Sequence, residues 1–279
     1  MNMMAPSGAV ELTDAEFDTL AAIAAREAGL AIPNSKKSLV QSRVARRLRS
    51  LDIGSCQDYL ALLETSPAET RELISVLTTN VSSFYREAHH FEFLRTTVFP
   101  ILRPKLEAGG RVRLWSAGCS SGQEPYSIAI ECLKAFPDCG EKDFLILASD
   151  IDPKILDRAI KGDYTSEDLA NLPESDRAAF FSEISPDSGQ FRAAPELKKL
   201  IRFRELNLHG DWPMKNQFDV IFCRNVVIYF DDAHQKSLWP RFRGQLAPEG
   251  WLILGHSERI QDVERSGFKT AGVTIYQRT

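Results

Sequence analysis

Residues 111–129 read RVRLWSAGCSSGQEPYSIA and carry the clearest structural signal in the chain. A strand-length apolar run ends in a loop with Gly118 and Gly122, and Pro125 stands near the start of the next helix. Glycine lets the backbone approach a ligand closely, and proline is tolerated in a first helical turn because its missing N–H has no intrahelical partner there. The spacing lacks the full dinucleotide fingerprint and contains no GK[ST], which excludes a P-loop. The turn therefore predicts either a ligand-binding loop or an ordinary tight connection between a strand and a helix.

The sequence around this turn alternates short apolar runs with helical segments. Strand candidates lie at residues 112–116, 144–149, 200–206, 218–223, 251–255 and 272–277, and helices fit between them at 124–136, 153–161 and 232–246. Most of the runs are continuously apolar, which is typical of strands buried on both faces of a largely parallel sheet. The alternation predicts an α/β doubly wound domain. Between residues 172 and 199 the pattern breaks down, and we interpret this stretch as an insertion that forms a small antiparallel hairpin.

Residues 11–80 show helical periodicity and no strand pattern. Thr13 and Glu16 fit a capping box at the start of a first helix. Val40, Val44 and Leu48 recur at helical spacing in a second helix. The sequence therefore predicts an all-α N-terminal domain in front of the α/β domain.

Composition and charge are those of a folded globular protein. The 279 residues are 43% hydrophobic and the formal net charge is −4, which excludes a disordered chain and gives no global attraction to nucleic acid. The five cysteines are scattered without a CxxC pair and no histidine stands at ligand spacing from them, so we expect reduced thiols and no metal site. No apolar run approaches the ~20 residues that span a bilayer, and we expect no signal peptide, no membrane insertion and a cytoplasmic monomer.

Polar side chains stand at the ends of several predicted strands. Asp150 ends the second strand, Asn207 and Leu208 follow the third, and Arg224 and Asn225 follow the fourth. In an open parallel sheet the carboxyl ends of the strands form the ligand crevice, and an acidic residue at the second strand tip can accept hydrogen bonds from a ribose diol. These residues favour a nucleoside-containing ligand without a pyrophosphate. S-adenosylmethionine (AdoMet) meets that description.

Four segments carry a family resemblance. They are TNVSSFYRE at residues 79–87, WSAGCSSGQEPYSIA at 115–129, SDID at 149–152 and FDVIFCRNVVIYF at 218–230. In this order they resemble the motifs of the CheR family, the chemotaxis-receptor glutamate O-methyltransferases, over nearly the whole chain. The resemblance implies an all-α N-terminal domain at residues 1–80, a linker that contributes cofactor contacts at 81–100, and a Rossmann-like AdoMet-dependent methyltransferase domain at 101–279 with an inserted small antiparallel β-subdomain at about 178–203.

The resemblance also assigns roles to individual residues. The positions that match the family's cofactor contacts are Asn80, Ser82, Arg86, Glu124, Asp150, Asn207, Leu208, Arg224 and Asn225. Arg86 and Tyr229 match the catalytic positions, with Tyr229 near the substrate. A guanidinium such as that of Arg86 suits the carboxylate of AdoMet, and Glu124 suits its ammonium group. Three alternatives stay open: a structural ion pair for Arg86, a helix cap for Asp150, although Asp152 is the better cap, and a core position for Tyr229.

Six cations and no acid lie between residues 36 and 49. They are Lys36, Lys37, Arg43, Arg46, Arg47 and Arg49. The helix has one apolar and one basic face, which is either a solvated surface or a docking surface for an acidic protein or for nucleic acid. The resemblance implies that this helix faces the glutamate-rich methylation helices of chemoreceptors, with Lys36, Arg43, Arg46 and Arg47 as docking residues.

The resemblance implies transfer of a methyl group from AdoMet to receptor glutamates, with S-adenosyl-L-homocysteine as product, and recruitment to membrane receptor arrays. Two alternatives remain at this point. One is a nucleic-acid methyltransferase that docks through the helix at residues 36–49, although the chain has neither a [DNS]PP[YF] motif after the fourth strand nor a Pro-Cys nucleophile. The other is a signalling module that binds AdoMet without turnover.

Overall fold

The computed structural model describes residues 11–279, and expectations that concern residues 1–10 lie outside the described residues. The chain forms two compact units. The first unit comprises the described residues up to Thr79 together with Tyr229–Asp231, and the second comprises Asn80–Ile228 and Asp232–Thr279. Within residues 11–279, none of the helices is long and apolar enough to cross a membrane.

The first unit is helical. Its helices are α1 (Asp14–Ala28), α2 (Lys37–Leu51), α3 (Cys56–Thr65) and α4 (Pro67–Leu77). The predicted capping box is confirmed, because the Thr13 side chain accepts from the Glu16 amide and the Glu16 side chain accepts from the Thr13 amide. Val40, Val44 and Leu48 are buried, as the periodicity of α2 predicts. This face packs with Phe17, Leu20 and Tyr59 into one hydrophobic core.

The second unit contains two sheets and the helices that cover them. Its helices are α5 (His89–Phe93), α6 (Phe99–Glu107), α7 (Gln123–Ala135), α8 (Pro153–Lys161), α9 (Glu174–Phe180), α10 (Pro195–Leu200) and α11 (Asp232–Gln245). Its strands are β1 (Val112–Ala117), β2 (Phe144–Asp150), β3 (Asp163–Thr165), β4 (Phe181–Glu183), β5 (Gln190–Ala193), β6 (Ile201–Glu205), β7 (Phe218–Cys223), β8 (Leu246–Leu254), β9 (Phe268–Gly272) and β10 (Ile275–Arg278).

The large sheet confirms the predicted α/β class. Its strand order is β6-β2-β1-β7-β8-β10-β9, and the first five strands of that order are parallel. Each of the six strand candidates overlaps a strand of this sheet. Strand β7 is buried along its whole length, which explains its continuous apolar run.

Three features differ from the expectations. Strand β9 has only Phe268 buried, so its sequence lacks the apolar pattern by which the other strands are recognised. The segment expected to be a linker is helical from His89 onward, and Phe91 and Phe99 belong to the core of the second unit. The small antiparallel sheet has the order β3-β5-β4, so it includes β3, a strand that precedes the region around residues 178–203.

Candidate functional site

The predicted strand-tip residues meet at one edge of the large sheet. Strands β6, β2, β1 and β7 lie side by side and parallel, so their carboxyl ends share that edge. Asp150 pairs with Glu205 at the end of β2, and the Asp150 carbonyl accepts from the Leu206 amide at 2.9 Å. Asn207 and Asp150 therefore lie at neighbouring strand ends, although they are far apart in sequence.

The turn after β1 requires both of its glycines. Gly118 has φ 80° and Gly122 has φ 96°, which are conformations that residues with a Cβ rarely adopt. A Cβ on Gly118 would lie 2.3 Å from Val226 Cγ2, and one on Gly122 would lie 2.8 Å from the Tyr164 hydroxyl. The glycines thus let the turn pack closely against neighbouring segments of the protein, in addition to any approach of a ligand.

Asp150 is held by the backbone at the end of β2. One of its carboxylate oxygens accepts from the Ser120 amide at 2.8 Å and the other accepts from the Asp152 amide at 3.1 Å. Burial raises the pKa of the Asp150 carboxyl above its usual range. The cap of α8 is Asp152, which accepts from the Lys154 amide, so the preference for Asp152 over Asp150 as the helix cap is confirmed.

Asn80 joins the linker motif to this strand tip. Its Nδ2 donates to Asp152 Oδ2 at 3.0 Å, while Asp152 Oδ1 accepts the capping hydrogen bond from Lys154. Ser82 lies two residues further along and is half-buried. The motif at residues 79–87 therefore reaches the same strand edge as Asp150.

Arg224 organises the charged groups behind the turn. Its Nη1 donates to Glu124 Oε2 at 3.0 Å, and Ser116 Oγ donates to the other Glu124 oxygen at 2.7 Å. Its Nη2 donates to the Arg86 carbonyl and lies 3.5 Å from Glu87 Oε2. Burial raises the pKa of Glu124 and outweighs the opposing effect of Arg224. Glu124 and Arg224 are therefore a buried ion pair, and neither is a free surface charge.

Arg86 carries the least engaged guanidinium of the predicted site. Its Nη1 donates to the Val81 carbonyl at 3.2 Å. Among residues 11–279, no carboxylate lies within ion-pair distance of the Arg86 guanidinium. The described structure therefore does not contain the structural ion pair that is the alternative role for Arg86. The guanidinium keeps donors for another acceptor.

Asn207 and Leu208 lie in the loop after β6. The Asn207 side chain accepts from the His209 amide at 2.9 Å. Leu208 is buried, and its carbonyl accepts from Trp212 Nε1 at 3.2 Å and Arg241 Nη1 at 2.7 Å. Arg241 also lies over the Trp212 ring, 4.2 Å from its centroid. This loop is thus fixed from two sides, with an aromatic side chain close to the sheet edge.

Glu258 supports this edge of the sheet, although no sequence pattern singles it out. Its carboxylate accepts from the backbone amides of Gly255, Asn225, Val226 and Ile228 at 2.6, 2.9, 2.9 and 3.3 Å. Glu258 is 3% exposed, and burial raises its pKa. One side chain therefore shapes the loop after β7, in which Asn225 has φ 58°. The available signal was an acidic residue that follows the fifth parallel strand, β8.

Tyr229 belongs by its contacts to the helical unit. Its carbonyl accepts from the Ala31 amide at 2.8 Å, and Lys36 Nζ lies 5.3 Å from its ring centroid. Tyr229 is half-buried, and the ammonium group of the exposed Lys36 lies over the face of its ring.

The basic face of α2 is less free than the sequence suggests. Arg43 Nη1 donates to the carbonyls of Val76, Leu77 and Thr78 at 3.1, 2.9 and 2.7 Å, at the end of α4. Arg47 forms two hydrogen bonds with Glu69 and is mostly buried. Arg43 and Arg47 are thus engaged by other residues of the helical unit, and their docking role stays a prediction. Arg46 and Lys36 are exposed.

Two buried polar atoms indicate that the strand edge receives a polar ligand. Ser120 Oγ and Arg224 Nε are buried and have no hydrogen-bond partner within residues 11–279. Ser120 lies in the turn after β1, and Arg224 directly follows β7. Leaving a buried donor or acceptor unsatisfied is costly, so such atoms at a crevice favour a ligand that supplies partners. Together with the acidic tip of β2 and the glycine turn, they fit AdoMet.

The sheet is largely parallel, has a glycine turn after its first strand and carries an acidic residue at the tip of its second strand. Together with the polar edge, these features define a Rossmann-like methyltransferase that binds AdoMet. Residues 80–277 match the family described as "CheR methyltransferase, SAM binding domain", and residues 15–78 match "CheR methyltransferase, all-alpha domain". The chain belongs to the CheR methyltransferase family.

Several curated proteins are similar over nearly the whole chain. A "Probable chemotaxis protein methyltransferase" of Rhizobium etli is 44% identical over 91% of this chain and 96% of its own length. "Chemotaxis protein methyltransferase 2" of Pseudomonas aeruginosa is 39% identical over 90% of this chain and 88% of its own. "Chemotaxis protein methyltransferase" of Escherichia coli strain K12 is 37% identical over 95% and 91%.

Proposed function

We propose that this protein transfers the methyl group of AdoMet to glutamate side-chain carboxylates of chemotaxis receptors and so forms methyl esters. The proposal rests on a polar cluster in which Asp150 and Arg224 stand at strand ends of one sheet edge and Glu124, in the first turn of α7, pairs with Arg224. The relatives of the chain, similar over about nine-tenths of its length, are called chemotaxis protein methyltransferases. The basic face of α2 supports an acidic protein as substrate.

The chain's own residues would hold the methyl donor in place. Asp150 offers the remaining lone pairs of its carboxylate to ribose hydroxyls, and Arg86 offers its free guanidinium donors to the methionine carboxylate. Glu124, oriented by Ser116 and Arg224, offers the remaining lone pairs of its carboxylate to the ammonium group. Bound AdoMet supplies a methyl group that is already activated by a sulfonium.

The transfer requires alignment and no general base. A glutamate side chain has an unperturbed pKa of about 4.3, so the nucleophile is already ionised at pH 7. The glutamate oxygen forms a bond to the methyl carbon as the carbon–sulfur bond breaks, which yields the ester and S-adenosylhomocysteine and neutralises one cation and one anion. A site that excludes water and aligns the three atoms is sufficient. We assign the alignment of the acceptor to Tyr229.

Tyr229→Phe should lower the single-turnover rate by roughly 10- to 100-fold through lost orientation, without a new pH dependence. The measurement is a pH–rate profile from pH 6 to 9 for the wild type, Tyr229→Phe and His→Ala variants. Burial lowers the pKa of His90 to about 3, so this histidine stays neutral over the whole window. An ionisation near 6.5 that controls the chemical step and disappears with one histidine would reveal a catalytic base.

Arg46→Glu should raise the apparent KM for receptor about fivefold at low salt and leave AdoMet affinity unchanged. Arg46 is exposed on α2, and reversing a charge at the rim of a docking surface changes mainly the encounter with an oppositely charged partner. Added salt should mimic the variant, because screening acts over about 10 Å at 0.1 M. Arg71→Glu, an exposed arginine on α4, is the matched control. Equal KM values for the two variants would show that α2 is only a solvated face.

The proposed reaction is tested by incubating the protein with methyl-labelled AdoMet and membranes that contain chemoreceptors. Glutamate methyl esters are base-labile, so alkali should release the label as volatile methanol from the receptor band. A base-stable label, or label on nucleic acid added in competition, would refute the proposed substrate. Receptors in which the accepting glutamates are replaced by alanine should take up no label.

A further inference from the structure

Three of the five histidines in the chain converge on one carboxylate. The donor atoms of Glu87, His89 and His90 all lie within 4.8 Å of one another. On the other side of the same carboxylate, His256 Nδ1 lies 3.0 Å from Glu87 Oε1. The cluster brings residues from the start of α5 together with a residue that follows β8, so it is formed only in the folded second unit.

The heavy-atom contacts of His90 assign its tautomer. The Thr274 hydroxyl donates to the Val273 carbonyl at 2.7 Å, and His90 Nε2 lies 3.0 Å from the same hydroxyl oxygen. With the Thr274 hydroxyl donating to the Val273 carbonyl, its oxygen accepts from His90 Nε2, and this arrangement assigns the proton of the neutral imidazole to Nε2. His90 Nδ1 is then an unprotonated nitrogen with a lone pair.

The lone pair of His90 Nδ1 faces a second acceptor atom, Glu87 Oε2. His90 Nδ1 lies 3.5 Å from Glu87 Oε2, and both atoms are buried without a hydrogen-bond partner within residues 11–279. The His90 side chain is fully buried. Two buried acceptors that face each other without a donor between them are unfavourable, and a cation between them would satisfy both.

We propose that Glu87, His89 and His90 form a binding site for a divalent transition-metal ion, with Zn²⁺ as the best match. Imidazole nitrogen and carboxylate oxygen are ligands that Zn²⁺ accepts, and two ligands about 2.1 Å from a tetrahedral ion lie about 3.4 Å apart. The 3.5 Å between His90 Nδ1 and Glu87 Oε2 matches that separation. His89 is exposed, so its ring can turn to complete the site.

The surrounding charges permit a divalent ion. Arg224 lies 3.5 Å from Glu87 Oε2, but its positive charge is shared with Glu124. The three groups together carry a formal charge of −1, so the ion enters a region of net negative charge. His256 Nδ1 lies 3.0 Å from the other oxygen, Glu87 Oε1, where it orients the carboxylate.

The experiment titrates the full-length protein, freed of metal by chelation, with Zn²⁺ in a calorimeter and with Co²⁺ in a spectrophotometer. We expect one saturable equivalent per chain and the visible absorption of Co²⁺ with nitrogen ligands. His89→Ala should weaken Zn²⁺ binding at least about tenfold, and because His89 is exposed the variant should keep the wild-type circular dichroism. Glu87→Gln should weaken binding further.

His234→Ala is the matched control, because His234 pairs with His209 in another part of the second unit, with ring centroids 4.8 Å apart. It should bind Zn²⁺ like the wild type. The proposal is refuted if no saturable binding occurs, if His89→Ala binds like the wild type, or if His234→Ala alone loses the ion. Because the readout is metal binding, this outcome is independent of methyl transfer.

Discussion

Arg224→Met is expected to destabilise the protein by about 3–5 kcal/mol at neutral pH, because it leaves Glu124 as a buried charge without its partner. The Arg224 side chain is 2% exposed and Glu124 is 11% exposed, so water cannot replace the lost ion pair. Arg224 also donates to the Arg86 carbonyl, and that hydrogen bond is lost in the same variant. Urea denaturation of the purified chain measures the effect.

The pairwise nature of this effect is tested by a double-mutant cycle with Glu124→Gln. The double variant should be less destabilised than the sum of the two single variants, since no unpaired charge remains. Arg26→Met serves as a control, because the Arg26–Glu27 pair is exposed and should contribute less than about 1 kcal/mol. Strictly additive single effects would show that Arg224 and Glu124 are not energetically coupled.

The destabilisation should also depend on pH in one direction. Burial already raises the pKa of Glu124, and removing Arg224 removes an effect that lowers it. A carboxyl with a raised pKa in the folded state favours folding when it is protonated and opposes folding when it is ionised. The deficit of Arg224→Met is therefore largest at neutral and higher pH and shrinks as the pH falls through the raised pKa. A deficit that grows on acidification would contradict this assignment.

Most of the fold could be predicted because buried strands have continuous apolar sequences. Strand β7 is buried at every position, and a continuous apolar run records that directly. Strand β9 exposes Lys269, Thr270 and Ala271 and is placed mainly by its pairing with β10, which no local pattern records. The helices from His89 to Glu107 do not follow from the sequence for a related reason, because the resemblance implies only a linker for this segment.

The position of the strand-tip residues could be predicted, but their partners could not. A parallel sheet brings Asp150 and Arg224 to one edge, which follows from topology. Arg224 is neutralised by Glu124, which is 100 positions away in the sequence. Three of the four backbone amides that Glu258 binds belong to residues 30 or more positions away. A local sequence pattern does not record such contacts. The same limit applies to α2, where periodicity separates apolar from basic positions but does not show that Glu69 lies beside Arg47.

Asp150→Asn is expected to weaken the binding of AdoMet by about 2–4 kcal/mol, or between tens and several hundred fold, if Asp150 holds the ribose diol through two charge-assisted hydrogen bonds. Asparagine keeps the size of the side chain and one acceptor for the Ser120 or Asp152 amide, so the turn should persist. Asp157→Asn, an exposed carboxylate on α8, controls for the loss of a negative charge. Calorimetry with the purified chain gives the affinities.

The comparison of AdoMet with S-adenosylhomocysteine decides how Asp150 acts. The two ligands share the ribose but differ in charge, because the sulfonium of AdoMet becomes a neutral thioether in the product. If Asp150 accepts hydrogen bonds from the ribose, Asp150→Asn weakens both ligands by the same factor. If its carboxylate instead acted on the sulfonium through space, AdoMet would lose much more affinity than S-adenosylhomocysteine. Unchanged affinity for both ligands would remove Asp150 from the cofactor site and leave its two backbone hydrogen bonds as its only role.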